Sequence, residues 1–346
     1  MQLFVYILRR LLTVAVQVAS ILLAIFFLIR MLPADPVARL VGSFATPEIY
    51  AHTKAALHLD KPLLTQLAIY LGLFPRAVGP GLLQGDLGRS WVTSSPVSQE
   101  IWQFLPITLE LITLSFVVAC VLAIPMGILA ALKPNGLLDR GVFSFSLFAG
   151  AQPDFWWGLI FIYFFYFVWR LAPAPLGHLA PLTVAPPVVT GFPLLDALLT
   201  GRPDVSLEAL HHLMLPVVTM AFIVSGPIVK MVRQNVIRAL QSNYILYARA
   251  CGLSQFHIAA YTFRNAFAPT LTIIAVLYGY MWGGAVLVEQ VFSLGGLGQY
   301  ALRSILAFDY PAIQGVVLTI TIGSLLIYLA MDILHSVADP RIVNSR

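Results

Sequence analysis

Long apolar runs are the feature that most constrains how this chain can fold. Residues Leu11 to Ile29 contain no charged side chain, and five further apolar runs follow. A helix needs about 20 apolar residues to cross the roughly 30 Å core of a bilayer. Only 10% of the 346 residues are charged, against about 25% in soluble domains, which leaves too little polar surface to cover a globule. The sequence therefore predicts an all-α membrane protein with six transmembrane helices, at about 11–29, 105–132, 141–169, 211–237, 266–290 and 311–335.

The basic residues predict on which side of the membrane the chain ends lie. Lys and Arg concentrate in cytoplasmic segments, and a cytoplasmic N-terminus places eleven of the twenty on that side. The first run is too long for a secretory signal core and is followed by no small-residue cleavage site. We therefore expect a retained first helix, with both termini in the cytoplasm. The eleven residues are Arg9, Arg10, Lys133, Arg140, Lys230, Arg233, Arg238, Arg249, Arg264, Arg341 and Arg346.

Two long connecting segments are expected to lie outside the bilayer. Residues 32–104 predict a small external subregion with short helices. One helix should begin at Thr46, where a capping hydroxyl precedes proline, and an amphipathic helix should form in "LDKPLLTQLAIYLGLF" (59–74). Residues 170–210 are rich in Pro and Gly and predict an irregular loop. Lipid could not satisfy the backbone hydrogen-bonding groups of such a loop, so it should lie outside the hydrocarbon core. The expected division is 1–31 with the first helix, 32–104 outside, and 105–346 as a five-helix core that includes a cytoplasmic segment, 243–269.

Motifs for catalysis and nucleotide binding are missing from the sequence. None of the 24 glycines precedes a lysine, which excludes the Gly-Lys-Ser/Thr phosphate loop, and GxSxG and HExxH are also missing. Adjacent His211 and His212, near Met214, point in different directions on a helix. They are therefore better interpreted as interfacial histidines than as a nickel site. Cys120 and Cys251 show no metal spacing and are not expected to form a disulfide. We expect a non-enzymatic chain that binds no metal.

Three carboxylates near or within the apolar runs are candidates for a functional role. A charge at membrane depth is costly and indicates a cavity or a partner. Asp154 is the deepest, about 21 Å into the bilayer along a helix. It either faces a translocation pathway together with Gln152 or caps the polar break beside it. Glu110 and Glu289 are expected near the outer surface in hydrogen-bonded structural roles, with Glu289 also a candidate for the pathway.

A polar stretch, "NYILYARACGLSQFHIAAYTFRNAFAP" (Asn243–Pro269), interrupts the apolar sequence between the fourth and fifth crossings. It has helical character, whereas connections between bundled helices are usually about 2–8 residues long. Small residues would let a partner's surface approach, larger side chains would fill its pockets, and arginines would supply charge. The stretch therefore predicts a docking site, with an ordinary polar loop as the alternative. The docking residues would be Tyr244, Tyr247, Ala248, Arg249, Ala250, Gly252, Leu253 and Arg264.

This stretch resembles the EAA loop of ABC importer permeases, in the dipeptide/oligopeptide/nickel branch. The similarity lies in "NYILYARACGL" (243–253) and "RNAFAP" (264–269), with Asn243, Tyr247 and Cys251 in place of the usual Asp, Thr and Lys. Further similarities follow in family order along nearly the whole chain. They are "YILRRLL" (6–12), "PADP" (33–36), "LDKPLLTQ" (59–66), "GDLGRS" (85–90), "LPITLEL" (105–111), "PDFWWGL" (153–159), "GGAVLVEQVFSLGGLG" (283–298), "DYP" (309–311) and "ADPRI" (338–342).

The resemblance implies a type I ABC importer permease fold with six transmembrane helices, forming half of a heterodimeric channel in a bacterial inner membrane. The implied partners are a second, homologous permease, two cytoplasmic ATPases that bind ATP and Mg, and an extracytoplasmic solute-binding protein. This chain would bind no cofactor. Residues 243–269 would be the coupling helix seated in an ATPase cleft, with Asn243 and Asn265 added to the docking residues.

The solute implied by the resemblance is a di- or oligopeptide, with nickel, glutathione or another small solute as alternatives. An ion-coupled secondary transporter is a rival from a different class. It would need ionisable residues around a midplane site, usually between repeated halves, and no repeat is visible here. A membrane-embedded enzyme is a second rival, for which the sequence offers no catalytic set.

Overall fold

The computed structural model describes residues 2–42, 45–74 and 79–338. Over these ranges the architecture is helical, and the predicted fold class of an all-α protein is confirmed. Residues 339–346, with Arg341, Arg346 and most of "ADPRI", lie outside the described residues. The helices are α1 Gln2–Met31, α2 Pro36–Val41, α3 Pro47–Ala56, α4 Leu63–Leu71, α5 Val97–Leu132, α6 Leu137–Ala149, α7 Asp154–Phe161, α8 Pro193–Leu199, α9 Pro203–Leu240, α10 Asn243–Ala250, α11 Gln255–Phe292, α12 Leu297–Ala307 and α13 Tyr310–Ala338.

Five helices in the described part of the chain are long and apolar enough to cross a membrane. They coincide with the first, second, fourth, fifth and sixth predicted crossings. Helices α5 and α9 begin earlier than predicted, because Pro96 and Pro203 stand at their starts, where the missing N–H costs no hydrogen bond. The five spans are Leu8–Met31, Val97–Leu132, Pro203–Leu240, Pro269–Phe292 and Tyr310–Ala330.

The third predicted crossing, 141–169, is wrong as a single helix. Helix α6 stops before Pro153, and α7 begins at Asp154. Proline lacks an N–H and forces the residue before it into an extended conformation, so a regular helix does not pass through this point. Helix α7 then widens into a π-helical stretch, Ile162–Val168. The apolar helix from Asp154 to Val168 is consequently shorter than the other spans.

Helix α9 occupies the centre of the bundle, and α1 lies at its edge. The most apolar window of α9 is 72% buried, whereas that of α1 is only 17% buried. Glycine brings α5 and α9 close together, since a Cβ on Gly127 would come within 2.8 Å of the Cβ of Val232. Such close packing through small residues is typical of helices in membranes, where contact area drives association.

One end of the bundle, called here the α10 face, carries α10, the start of α6, the end of α9 and the start of α11. Arg233 of α9 forms a bidentate ion pair with Asp139 of α6, in which Nη2 of Arg233 lies 2.8 Å from Oδ2 of Asp139. These hydrogen bonds hold the pKa of Asp139 below its usual range. Asn235 donates from Nδ2 to Thr270 Oγ1 at 3.2 Å, which joins α9 to α11.

The opposite end, called the loop face, carries α2 to α4, the segment 170–202 and α12. The predicted helix start at Thr46 is confirmed, because its Oγ1 accepts a hydrogen bond from the N–H of Ile49 at 3.4 Å. The predicted second helix of this region is α4. The loop over 170–210 is irregular up to α8, where Asp196 accepts hydrogen bonds from backbone N–H groups of residues 189–191. That carboxylate fixes the course of the loop.

Candidate functional site

The polar stretch 243–269 forms a short helix, a turn and the start of a long helix. Helix α10 ends at Ala250, the chain turns at Gly252, and α11 begins at Gln255. Gly252 has φ +74°, a left-handed conformation that glycine adopts without strain. Its N–H donates to the carbonyl of Arg249 at 3.0 Å and helps to close the helix end. The predicted helical character of the stretch is confirmed.

Helix α10 has one buried side and one exposed side. Ile245 is fully buried and Ala248 is 7% exposed, whereas Tyr247 is 74% exposed. Ala248 therefore lies on the side of α10 that faces its own chain, and its role in docking stays a prediction. Ala250 and Gly252 are exposed.

The surface around the turn is open and partly apolar. A Cβ on Gly252 would meet no atom within 4 Å, and Phe256, which is not among the predicted docking residues, is 80% exposed. The thiol of Cys251 is free and exposed. Large apolar side chains are unfavourable in water, and their concentration beside a polar turn is typical of contact surfaces. The predicted docking residues that are exposed are Asn243, Tyr244, Tyr247, Arg249, Ala250, Gly252, Arg264 and Asn265, and Leu253 is half-buried.

Asp154 is the first residue of α7, at the break in the third crossing. Its carboxylate lies against α11, where a Cβ on Gly284 would collide with Oδ2. The free N–H groups of a first helical turn favour a negative charge, which suits the capping role. Gln152 beside it is exposed, as is Tyr280 one turn before Gly284. A half-buried carboxylate between these exposed residues also suits a pathway role.

Glu289 is fully buried and connects three helices. Thr108 Oγ1 of α5 donates to Oε1 of Glu289, and the N–H of Gln299 in α12 donates to Oε2 at 2.9 Å. Thr108 Oγ1 also accepts from the N–H of Leu297 at 2.8 Å. The carboxylate thus faces the protein interior in this structure. This environment favours the structural alternative for Glu289, and its place in the pathway stays a prediction.

Glu110 also has a structural environment, on the loop face. Its Oε1 accepts a hydrogen bond from the N–H of Leu194 at 3.1 Å, and its Oε2 lies 3.8 Å from Nδ1 of His178. Burial lowers the pKa of His178 to about 4, so the ring is neutral at pH 7 and the contact is not an ion pair.

The ring planes of His211 and His212 make an angle of 79° with each other. In the part of the chain that the structure describes, no three His, Cys, Asp or Glu side chains are placed to hold a metal ion.

Comparison with known proteins identifies the family. The family model described as "binding-protein-dependent transport system inner membrane component" matches residues 123–344, and the model of the N-terminal part of such components matches residues 3–112. The chain belongs to this family. The permease is therefore a non-catalytic, multi-pass component of an ABC transporter in the inner membrane, and the resemblance seen in the sequence is confirmed.

Three relatives show how far the similarity extends. The permease is 36% identical to the probable D,D-dipeptide transport system permease protein DdpB of Escherichia coli (strain K12), over 94% of this chain and 93% of the relative. It is 36% identical to the di/tripeptide transport system permease protein DppB of Pseudomonas aeruginosa (strain UCBPP-PA14), over 94% and 95%. It is 34% identical to the dipeptide transport system permease protein DppB of Escherichia coli (strain K12), over 97% and 98%.

Sequence reasoning missed that motifs of the permease far apart in the chain meet in the fold. Asp309 of "DYP" accepts from Ser90 Oγ of "GDLGRS" at 2.5 Å and from the N–H of Trp91 at 3.1 Å. The same carboxylate accepts from the N–H of Ala312 in the first turn of α13 at 3.4 Å. An acidic residue directly before a helix start is a recognisable capping signal, but its bond to Ser90 is a long-range contact that spacing does not show.

Proposed function

We propose that this chain is the permease subunit of an ATP-driven, binding-protein-dependent importer of di- or oligopeptides, and that it forms half of the translocation pathway. The observation that carries the proposal is the similarity to three permeases named for dipeptide or tripeptide transport, each over at least 94% of this chain. A similarity of that extent covers both the bundle and the α10 segment, so it supports a shared mode of action.

The proposed partners are a second, homologous permease, two cytoplasmic ATPases that bind ATP and Mg, and an extracytoplasmic solute-binding protein. The α10 segment would sit in a cleft of one ATPase, with Tyr247 and Phe256 as anchors and Gly252 allowing close approach. Exposed aromatic side chains of this kind carry much of the energy at protein interfaces. ATP-driven closure of the ATPases would then shift the bundle between two arrangements with different contacts.

The proposed topology has six crossings, the third built from α6 and α7 with the break at Pro153. The α10 face would lie in the cytoplasm with both termini, and residues 32–104 would form the external subregion. Two observations support it. Helix α5 ends at the α10 face whereas the next span, α9, begins at the loop face, so the segment with α6 and α7 runs from one face to the other. The α10 face also carries Arg233, Arg249 and Arg264, in line with the positive-inside rule.

The proposal is tested by purification of the intact complex from membranes and by uptake of a labelled dipeptide. Co-purifying ATPases, a second permease and ATP-dependent uptake are the expected results. A chain that transports alone with an ion gradient would instead identify a secondary transporter. The ligand of the co-encoded binding protein separates peptides from nickel, glutathione and other small solutes.

Asp154→Asn is expected to lower dipeptide uptake about tenfold or more, because a hydrogen bond from a peptide's charged amino group contributes roughly 1.5–3 kcal/mol. Asparagine has nearly the same shape as aspartate, so the variant removes the charge with little change in packing. The measurement is initial uptake at several pH values in wild type, Asp154→Asn and the exposed control Asp60→Asn. Equal uptake by all three at every pH would leave Asp154 with the capping role alone.

A further inference from the structure

A cavity of about 510 Å³ lies on the loop face between the end of α1 and the short helices α2 to α4. Three basic residues line it: Arg30 of α1, Lys54 of α3 and Lys61 before α4. They come from three separate segments of the chain, yet all border one space. Converging cations around a cavity make it attractive to an anion.

Arg30 is held in place by neutral groups. Its Nε donates to Oε1 of Gln66 at 2.9 Å, its Nη1 lies 3.4 Å from the carbonyl of Phe26, and its guanidinium stacks 3.7 Å from the centre of the Phe26 ring. Gln66 is itself 8% exposed and donates from Nε2 to the carbonyl of Lys61 at 2.8 Å. These contacts orient the guanidinium without neutralising its charge.

The three cations of the cavity outnumber the two acids near it, Asp35 and Asp60, so a net positive charge remains. Asp35 is the acid that lines it, and its oxygens accept hydrogen bonds from the N–H of Ala38 at 3.0 Å and from the hydroxyl of Tyr50 at 2.7 Å. The hydrogen bond from Tyr50 holds the pKa of Asp35 below its usual range, so this acid is ionised. Asp60 pairs with Lys61 at 3.4 Å. Arg30 and Lys54 make none of the ion pairs found among the described residues.

The position of the cavity relative to the membrane narrows the class of anion. Arg30 is the last residue but one of the first span, so its guanidinium lies where hydrocarbon gives way to headgroups. Leu63 at the start of α4 lines the cavity and has an exposed apolar side chain. A ligand that touches both the cations and this apolar border would be amphipathic. Arginine binds phosphate particularly well, because its planar guanidinium can donate two parallel hydrogen bonds to two phosphate oxygens.

We propose that this cavity binds the phosphate of an anionic phospholipid headgroup, with Arg30 as the main ligand and Lys54 and Lys61 as supporting cations. Basic pockets beside transmembrane helices can bind such headgroups in this way. The bound lipid would connect α1 to α3 and α4, which otherwise surround a net positive charge. The proposal concerns a lipid site and does not depend on which solute the permease carries.

The test uses the full-length chain in its purified complex, stripped of lipid in detergent. The complex is titrated with short-chain phosphatidylglycerol, and bound lipid is measured by native mass spectrometry. Arg30→Gln is expected to weaken binding about tenfold or more, since charge-assisted hydrogen bonds are lost, and Lys54→Gln should weaken it several-fold. Arg39→Gln is the matched control, because Arg39 is an exposed arginine of neighbouring α2 outside the cavity lining, and it should bind like wild type.

A second titration with inorganic phosphate separates the two sources of the anion. Phosphate should bind much more weakly than phosphatidylglycerol and compete only at high concentration. If inorganic phosphate binds as tightly as phosphatidylglycerol, the ligand of the cavity is a free anion and not a lipid headgroup. If Arg30→Gln does not yield a complex, Lys54→Gln decides the question. Phosphatidylglycerol binding unchanged in every variant that can be purified would overturn the proposed site.

Discussion

Gly252→Trp is expected to abolish coupling to the ATPases while leaving the amount of inserted permease unchanged. Gly252 is exposed, and a Cβ there meets no atom of this chain within 4 Å. An indole at this point would therefore project away from the bundle, into the space that a docked ATPase would fill. Hydrolysis stimulated by the binding protein should fall at least about tenfold, the loss expected when a central interface contact worth about 2 kcal/mol fails.

Two controls separate steric exclusion from backbone strain. The positive φ of Gly252 penalises any side chain by roughly 1–2 kcal/mol, and asparagine tolerates it best. Gly252→Asn should therefore keep most of the stimulated hydrolysis. Gly201→Trp places the same side chain at a second glycine with positive φ (+72°) and open surroundings on the loop face, and it should couple normally. A purified Gly252→Trp complex with normal stimulated hydrolysis would show that α10 is not the docking segment.

Asp309→Ala is expected to produce the largest loss of stability among single changes on the loop face. Asp309 is 3% exposed and holds Ser90, Trp91 and the start of α13 together. Its removal leaves buried donors without acceptors, at roughly 1–3 kcal/mol for each unsatisfied group. The measurement is the temperature at which the detergent-solubilised complex loses its native elution profile. That temperature should fall by several degrees, by roughly 2–4 °C for each kcal/mol lost.

Asp309→Asn retains one acceptor oxygen and should lie between wild type and alanine. Ser90→Ala removes one bond of the cluster and should cost less than Asp309→Ala. Asp60→Asn changes an exposed acid and should leave the midpoint where it is. An Asp309→Ala complex as heat-resistant as wild type would mean that this cluster contributes nothing to the stability of the permease.

The apolar runs predicted the places of five spans correctly, because about 20 consecutive apolar residues have few alternatives to a membrane helix. The prediction of the third crossing as a single helix failed for a local reason. Pro153 is visible in the sequence, but transmembrane helices often tolerate proline when neighbouring groups satisfy the freed backbone. The sequence does not show whether they do so here, and the chain instead separates α6 from α7.

The site residues were harder to predict because their roles depend on partners distant in the chain. Glu289 acquires its structural role from Thr108 and Gln299, and neither proximity follows from spacing. Ala248 and Ala250 look equivalent in the sequence, yet only a three-dimensional helix decides which of them faces the bundle. Arg30 carried no signal beyond a basic residue at the end of an apolar run. Its significance comes from Lys54 and the cavity.

Helices α9 and α11 each contain 38 residues and are joined through α10. At 1.5 Å per residue each rod is about 57 Å long, roughly twice the thickness of the hydrocarbon core. A tilt of about 5° imposed at the α10 end would displace the far tip of such a rod by about 5 Å. Small displacements at one surface would thus become larger at the other, by leverage and without any helix having to melt.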